Sequence, residues 1–126
     1  MKITLSNLSG IPIYEQIKDQ IKSQILSGEL KEGDKLPSLR ELARDLRISV
    51  LTTTRVYTEL EKEGFITNIQ GRGCYVLGEG SELLKEHMLR EMERNLSDAL
   101  KAAKIAGLDI SEVHQALDLM NEEKQN

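Results

Sequence analysis

Residues 38–64 read SLRELARDLRISVLTTTRVYTELEKEG, and this stretch decides the fold. Ser38 followed three residues later by Glu41 is a capping box, in which the hydroxyl takes up an unpaired N–H of a first helical turn. Leu39, Leu42, Ala43 and Leu46 then share one helix face, and the pattern ends near 47–48. Ser49 offers a second cap, and behind it Thr53, Val56 and Leu60 recur at helical spacing until Gly64 stops the helix. Only about three residues separate the two helices, so they must turn sharply and pack on each other as a helix-turn-helix.

The flanks extend this unit. Upstream, Pro12 suits a first helical position, Ile13, Ile17, Ile21 and Ile25 recur every four residues, and Gly28 is the expected stop. Residues 1–10 read as a polar lead-in. Downstream of Gly64 the period shortens to two. Residues 65–69 and 74–77 are β-rich runs on either side of Gln70, Gly71, Arg72 and Gly73, which predicts a hairpin wing. Gly78 and Gly80 read as a hinge. From Ser81 to Ala106 the chain lacks Gly and Pro and carries the stripe Leu84, Met88, Met92, Leu96, Leu100 and Ala103. After Gly107 a last helix is expected from Ser111, with Val113, Leu117 and Met120 on its apolar face and a frayed polar tail over 121–126. The expected fold is mainly α with a small β-hairpin: a winged helix-turn-helix domain over 11–78, then a two-helix region over 79–126.

Charge is unevenly distributed. The net charge of −4 argues against a nucleic-acid partner. Residues 1–78, however, hold 11 basic against 10 acidic side chains, and residues 79–126 hold 6 against 11. Within 35–58 the balance is 5 to 2, and screening makes such a local patch the relevant quantity for phosphate contact. An apolar fraction of 39% reads as globular, and no apolar run approaches a membrane span of roughly 18 residues. The N-terminus lacks a signal-peptide layout, and the single cysteine, Cys74, permits a reducing cytoplasm, the expected location. Two histidines and one cysteine far apart give no metal-ligand spacing, and no cofactor is expected. No nucleophile–base pair or phosphate loop is visible, so an enzyme is not expected.

A helix fits the major groove, and its first residues reach base edges. Those residues are Ser49, Val50, Leu51, Thr52 and Thr54, with Arg55 further along. Lys35, Ser38, Arg40 and Arg47 surround the second helix as candidate phosphate contacts, or as a solvated charged face; Arg44, beside Asp45, reads as solubilising. Arg72 between two glycines can enter a minor groove, or simply complete a tight turn with Gln70, Gly71 and Gly73. Cys74 reads as a strand cysteine, and His87 and His114 as surface or interface residues.

Four segments together resemble the GntR family of bacterial regulators: IPIYEQI (11–17), GDKLPSLRELA (33–43), YTELEKEGFI (57–66) and GRGCYV (71–76). The short helical C-terminus resembles the YtrA-like subfamily. The resemblance implies a homodimer on a pseudo-palindromic double-stranded DNA operator, usually repressing its own operon, which in this subfamily often encodes an ABC transporter. It also implies DNA contact by Arg40, by 49–54 and by 70–73. Val50, Leu51, Thr53 and Cys74 depart from the family's usual residues, and apolar side chains at 50 and 51 lead us to expect methyl contacts and A·T-rich half-sites.

Left exposed, the Leu/Met stripe would be an aggregation hazard, so Leu84, Met88, Met92, Leu96, Leu100, Val113, Leu117 and Met120 are expected to meet a second copy. Two helices cannot enclose a drug-sized pocket of about 300 Å³. A small-molecule effector of unknown identity is therefore expected between subunits or between the two regions. The rival reading is a winged-helix protein-interaction module that has lost specific DNA binding.

Overall fold

The computed structural model describes residues 1–78 and 81–125. Its elements are α1 (Ile13–Ser27), α2 (Leu39–Leu46), α3 (Val50–Lys62), β1 (Ile66–Ile69), β2 (Gly73–Val76), α4 (Glu82–Ala106) and α5 (Ile110–Gln125). They form two compact units, Met1–His87 and Met88–Asn126.

The core of the first unit comes from the helical stripes and the inner face of the hairpin. Ile17 and Ile21 of α1, Leu42 and Ala43 of α2, and Val56, Tyr57 and Leu60 of α3 are buried with Leu36, Phe65, Ile66 and Val76. Each fully buried Ile, Leu, Val or Phe contributes roughly 1.5–3 kcal/mol. Thr53 sits among them with no exposed surface. Its hydroxyl donates to the carbonyls of Leu39 and Val50, both at 3.0 Å, so a polar group in the core is paired and ties α3 to the start of α2. Tyr57 likewise donates to Pro37 O at 2.8 Å, and burial pushes its hydroxyl pKa up.

The caps explain where the helices begin. Ser38 Oγ accepts from Glu41 N–H, and Ser49 Oγ accepts from Thr52 N–H, each at 3.1 Å. Between them the chain turns at Arg47, whose φ of 57° closes α2 in the left-handed region. Pro12 lies one position earlier than expected: it is the N-cap residue of α1, its carbonyl accepting from Gln16 N–H. The hairpin is antiparallel, with Ile66 opposite Val76 and Ile69 opposite Gly73. Residues 33–36 run alongside it, Gly33 N–H donating to Val76 O and Leu36 N–H to Cys74 O, so the wing is anchored on its outer strand.

Residues 1–10 are not a loose lead-in. Gln16, Gln20 and Gln24, one turn apart on α1, hold the backbone at Ser6, Thr4 and Lys2. Gln16 and Gln20 each use both amide atoms, since Ser6 N–H and Thr4 N–H donate back to them at 2.9 Å. Four helical residues rise about 6 Å and two extended residues about 6.6 Å, so the two repeats keep step.

Ser81 Oγ caps α4 by accepting from Leu84 N–H, and Leu84 is 7% exposed. Leu84, expected in a dimer stripe, is thus buried in its own chain, because the first turn of α4 seats against Gly64. The first unit accordingly extends past residue 78 to His87. The expected hinge at Gly80 lies outside the described residues, and Glu32 packs where a side chain at Gly78 would stand.

In the second unit, Gly107, Leu108 and Asp109 connect the two helices. The last helix begins at Ile110, not Ser111, and Asp109 caps it: Asp109 Oδ1 accepts from Glu112 N–H at 3.1 Å while Glu112 Oε2 accepts from Asp109 N–H at 3.0 Å. The hydroxyl of Ser111 donates to the same carboxylate and holds the Asp109 pKa below its usual value. The polar tail continues the helix to Gln125 rather than fraying from 121. Ala103 is buried, whereas Met92, Leu96, Leu100, Leu117 and Met120 are exposed and Met88 and Val113 half-buried.

Candidate nucleic-acid interface

The start of α2, the outer face of α3 and the wing converge on one groove of about 490 Å³. Lys35, Ser38, Arg40, Thr54, Arg72 and Gly73, six of the expected contact residues, all line it. Three cations therefore edge a single concavity. Of the two carboxylates there, Glu61 already accepts the Asn68 N–H at 2.6 Å. Arg40 and Arg72 are exposed, so their guanidinium groups are accessible to a phosphate.

The wing tip is a tight turn. Arg72 N–H donates to Ile69 O at 2.9 Å, and Arg72 O accepts from the Tyr75 hydroxyl. Gly71 has φ 81°, a left-handed backbone that glycine adopts without cost. Gly73 leaves room for Lys35, whose Cε lies 3.0 Å from the place a Cβ at 73 would take. The fold thus brings Lys35, at the foot of α2, over the wing. Gln70 is exposed at the tip.

The first turn of α3 is apolar outward. Leu51 is 83% exposed and Val50 43%. The hydroxyls nearby are already engaged: Thr52 Oγ1 lies 2.9 Å from Ser49 Oγ, and Thr54 Oγ1 donates to Val50 O at 2.7 Å. What this turn offers outward is therefore mainly methyl and methylene surface. Arg47 is exposed at the turn between the helices, and Arg44 pairs with Asp45 at 3.6 Å.

Arg55, expected further along the DNA-facing helix, is exposed, but its guanidinium group is engaged within the protein. Its guanidinium carbon lies 3.5 Å from the centroid of the Tyr14 ring, and its Nε donates to Glu59 at 2.9 Å. It bridges α3 to α1 and is not among the residues that line the groove. Tyr14 as its partner was not legible from spacing, because the two lie on different helices. Cys74 donates to Asn68 Oδ1 at 3.7 Å, and burial raises its thiol pKa, the opposite of a redox-reactive thiol. Among the described residues no group of three or more His, Cys, Asp and Glu could hold a metal ion, and no helix is long and apolar enough to cross a membrane.

Known proteins resemble this chain in sequence and fold. The profile of the bacterial regulatory proteins of the gntR family matches residues 13–76, just over half of the chain. The HTH-type transcriptional repressor YtrA of Bacillus subtilis is 37% identical over 90% of this chain and 87% of its own. A YtrA structure from Sulfolobus acidocaldarius, described as a GntR-family transcription factor, superposes with a TM-score of 0.66 at 34% identity over 100% of both chains. The DNA-binding domain of AraR, solved in complex with an operator, matches with a TM-score of 0.53 at 25% identity over 60% of this chain and 95% of its own. Members of this family are regulators, not enzymes. The chain belongs to the gntR family of bacterial regulatory proteins, in its short YtrA-like branch, and is a DNA-binding transcription regulator.

Proposed function

We propose that this regulator acts in the cytoplasm as a homodimeric repressor on a pseudo-palindromic operator upstream of its own gene. The observation that carries the reading is the groove that Lys35, Arg40 and Arg72 share with Thr54 and Thr58 of α3. In this reading the cations, with Arg47, grip the phosphates. Ser49, Val50, Leu51, Thr52 and Thr54 face the base edges, and residues 70–73 contact the flank. One such surface neutralises few phosphates, and a second copy doubles the contact and adds register. The exposed Met92, Leu96, Leu100, Leu117 and Met120 supply apolar surface for the pairing. Repression is the stated role of the Bacillus YtrA relative.

The apolar first turn of α3 refines the operator. Leu51 and Val50 match thymine methyl groups better than guanine edges, so the half-sites are A·T-rich. The same exposed residues favour the rival reading, a protein-docking face. Selection from random duplexes followed by footprinting separates the two. The proposal expects two protected A·T-rich half-sites with centres about 10 base pairs apart, bound by a dimer in light scattering. G·C-rich half-sites overturn the methyl readout, a monomer on one half-site overturns the dimer, and no enriched sequence at all favours the docking face.

A further inference from the structure

Tyr14, Lys18 and Lys22 recur every four residues on α1, and Arg55, Glu59 and the C-cap residue Glu63 do so along α3. The two rows interlock. Arg55 stacks on Tyr14 and pairs with Glu59. Glu59 accepts from Lys18 at 3.0 Å, Lys18 reaches Glu63 at 2.8 Å, and Lys22 lies 3.5 Å from Glu63. Burial alone would lower the Lys18 pKa, but its bonds to the two glutamates outweigh that and raise it; the bond from Lys18 lowers the Glu59 pKa. The deep end of the row is well shielded, with Lys18, Lys22 and Glu63 side chains 15–18% exposed. Lys22 continues it onto the buried Phe65 ring, 5.1 Å from the centroid. The outer end, at Tyr14 and Arg55, lines a shallow cleft with Leu51 and Thr52 at the start of α3.

We propose that Arg55 is a positioning residue for DNA reading rather than a DNA contact. Held between Tyr14 and Glu59, it fixes the rotation of α3 about its own axis against α1. This rests on the reading of α3 as the recognition helix. Leu51 precedes Arg55 by one turn on the same helix face, so the two move together. Side-chain tips lie about 5–6 Å from a helix axis, so a rotation of about 10° displaces them by about 1 Å, enough to spoil base-edge contacts. Phosphate contacts by the long, exposed side chains of Lys35, Arg40 and Arg72 tolerate such a shift, because their flexible stems can follow it. Loss of Arg55 therefore lowers specificity and leaves non-specific affinity alone.

The test uses the full chain, the duplex that wild type selects from a random pool, and a scrambled duplex, at two salt concentrations. Arg55→Ala and Tyr14→Ala should each weaken the selected duplex about tenfold, the size of a partly shielded cation–π contact. The scrambled duplex and the salt slope should stay as in wild type, and the double variant should be no worse than either single one. Tyr14→Phe keeps the ring and should behave as wild type. A salt slope reduced by about one per Arg55, with both duplexes weakened, makes Arg55 a phosphate contact and overturns the proposal. So does unchanged binding in both alanine variants, or a Tyr14→Phe loss equal to that of Tyr14→Ala. A wild type that fails to discriminate the duplexes overturns instead the reading of α3 itself.

Discussion

Gly64→Ala is expected to lower the unfolding temperature by about 6–25 °C. Gly64 has φ 87°, and an L-residue there costs roughly 1–2 kcal/mol. A Cβ would also stand 2.7 Å from the Leu83 carbonyl carbon and 2.9 Å from Leu84 Cα, and closer still to Leu84 N. These are backbone atoms in the first turn of α4, so no flexible side chain can yield, and overpacking of this kind costs about 1–3 kcal/mol. The total of about 2–5 kcal/mol converts at roughly 3–5 °C per kcal/mol for a chain of this size. Thermal unfolding followed by circular dichroism measures it. A shift under about 2 °C, well below that conversion, would show that α4 does not seat on Gly64.

The second large effect is on DNA. Arg40→Ala should reduce the slope of log affinity against log salt by about two, because a dimer loses one phosphate contact per copy at about 0.9 each. Arg72→Ala acts at the wing in the same way, and the double variant should bind at least about a hundredfold more weakly, since charged hydrogen bonds contribute about 1.5–3 kcal/mol each. Arg44→Ala is the matched control. Its guanidinium group is 75% exposed and sits beside Asp45, so affinity and slope should not change. Equal slopes for Arg40→Ala, Arg72→Ala and wild type would remove both residues from the interface.

Much of this was legible in the sequence, for local reasons. Caps and stops depend on a few neighbouring residues, so Ser38, Ser49, Gly28 and Gly64 mark their helix ends where the structure has them. The period change after residue 64 likewise follows from alternation within a short run. Thr53 was readable as a core position from helical spacing alone, and the structure supplies the reason a threonine is tolerated there: Leu39 O and Val50 O take its hydroxyl. What escaped were pairings between distant segments. The glutamine row of α1 looks polar and therefore solvated, yet its amides bond residues 2–6. Leu84 continues the stripe of α4 by spacing, but only the tertiary fold shows that it is covered by its own chain. Ser111 was read as the start of the last helix, and the reciprocal bonds between Asp109 and Glu112 make Asp109 the cap instead. Arg55 read as a candidate DNA contact further along the helix, since nothing in its neighbourhood names Tyr14.

The central claim is that the groove and the start of α3 read a specific DNA sequence. Fluorescence anisotropy with the DNA upstream of this protein's own gene, against a scrambled duplex at two salt concentrations, tests it most directly. The account predicts binding to the upstream duplex about a thousandfold tighter than to the scrambled one, saturating at one dimer per site and weakening as salt rises. Equal, weak binding to both duplexes at either salt concentration would contradict it.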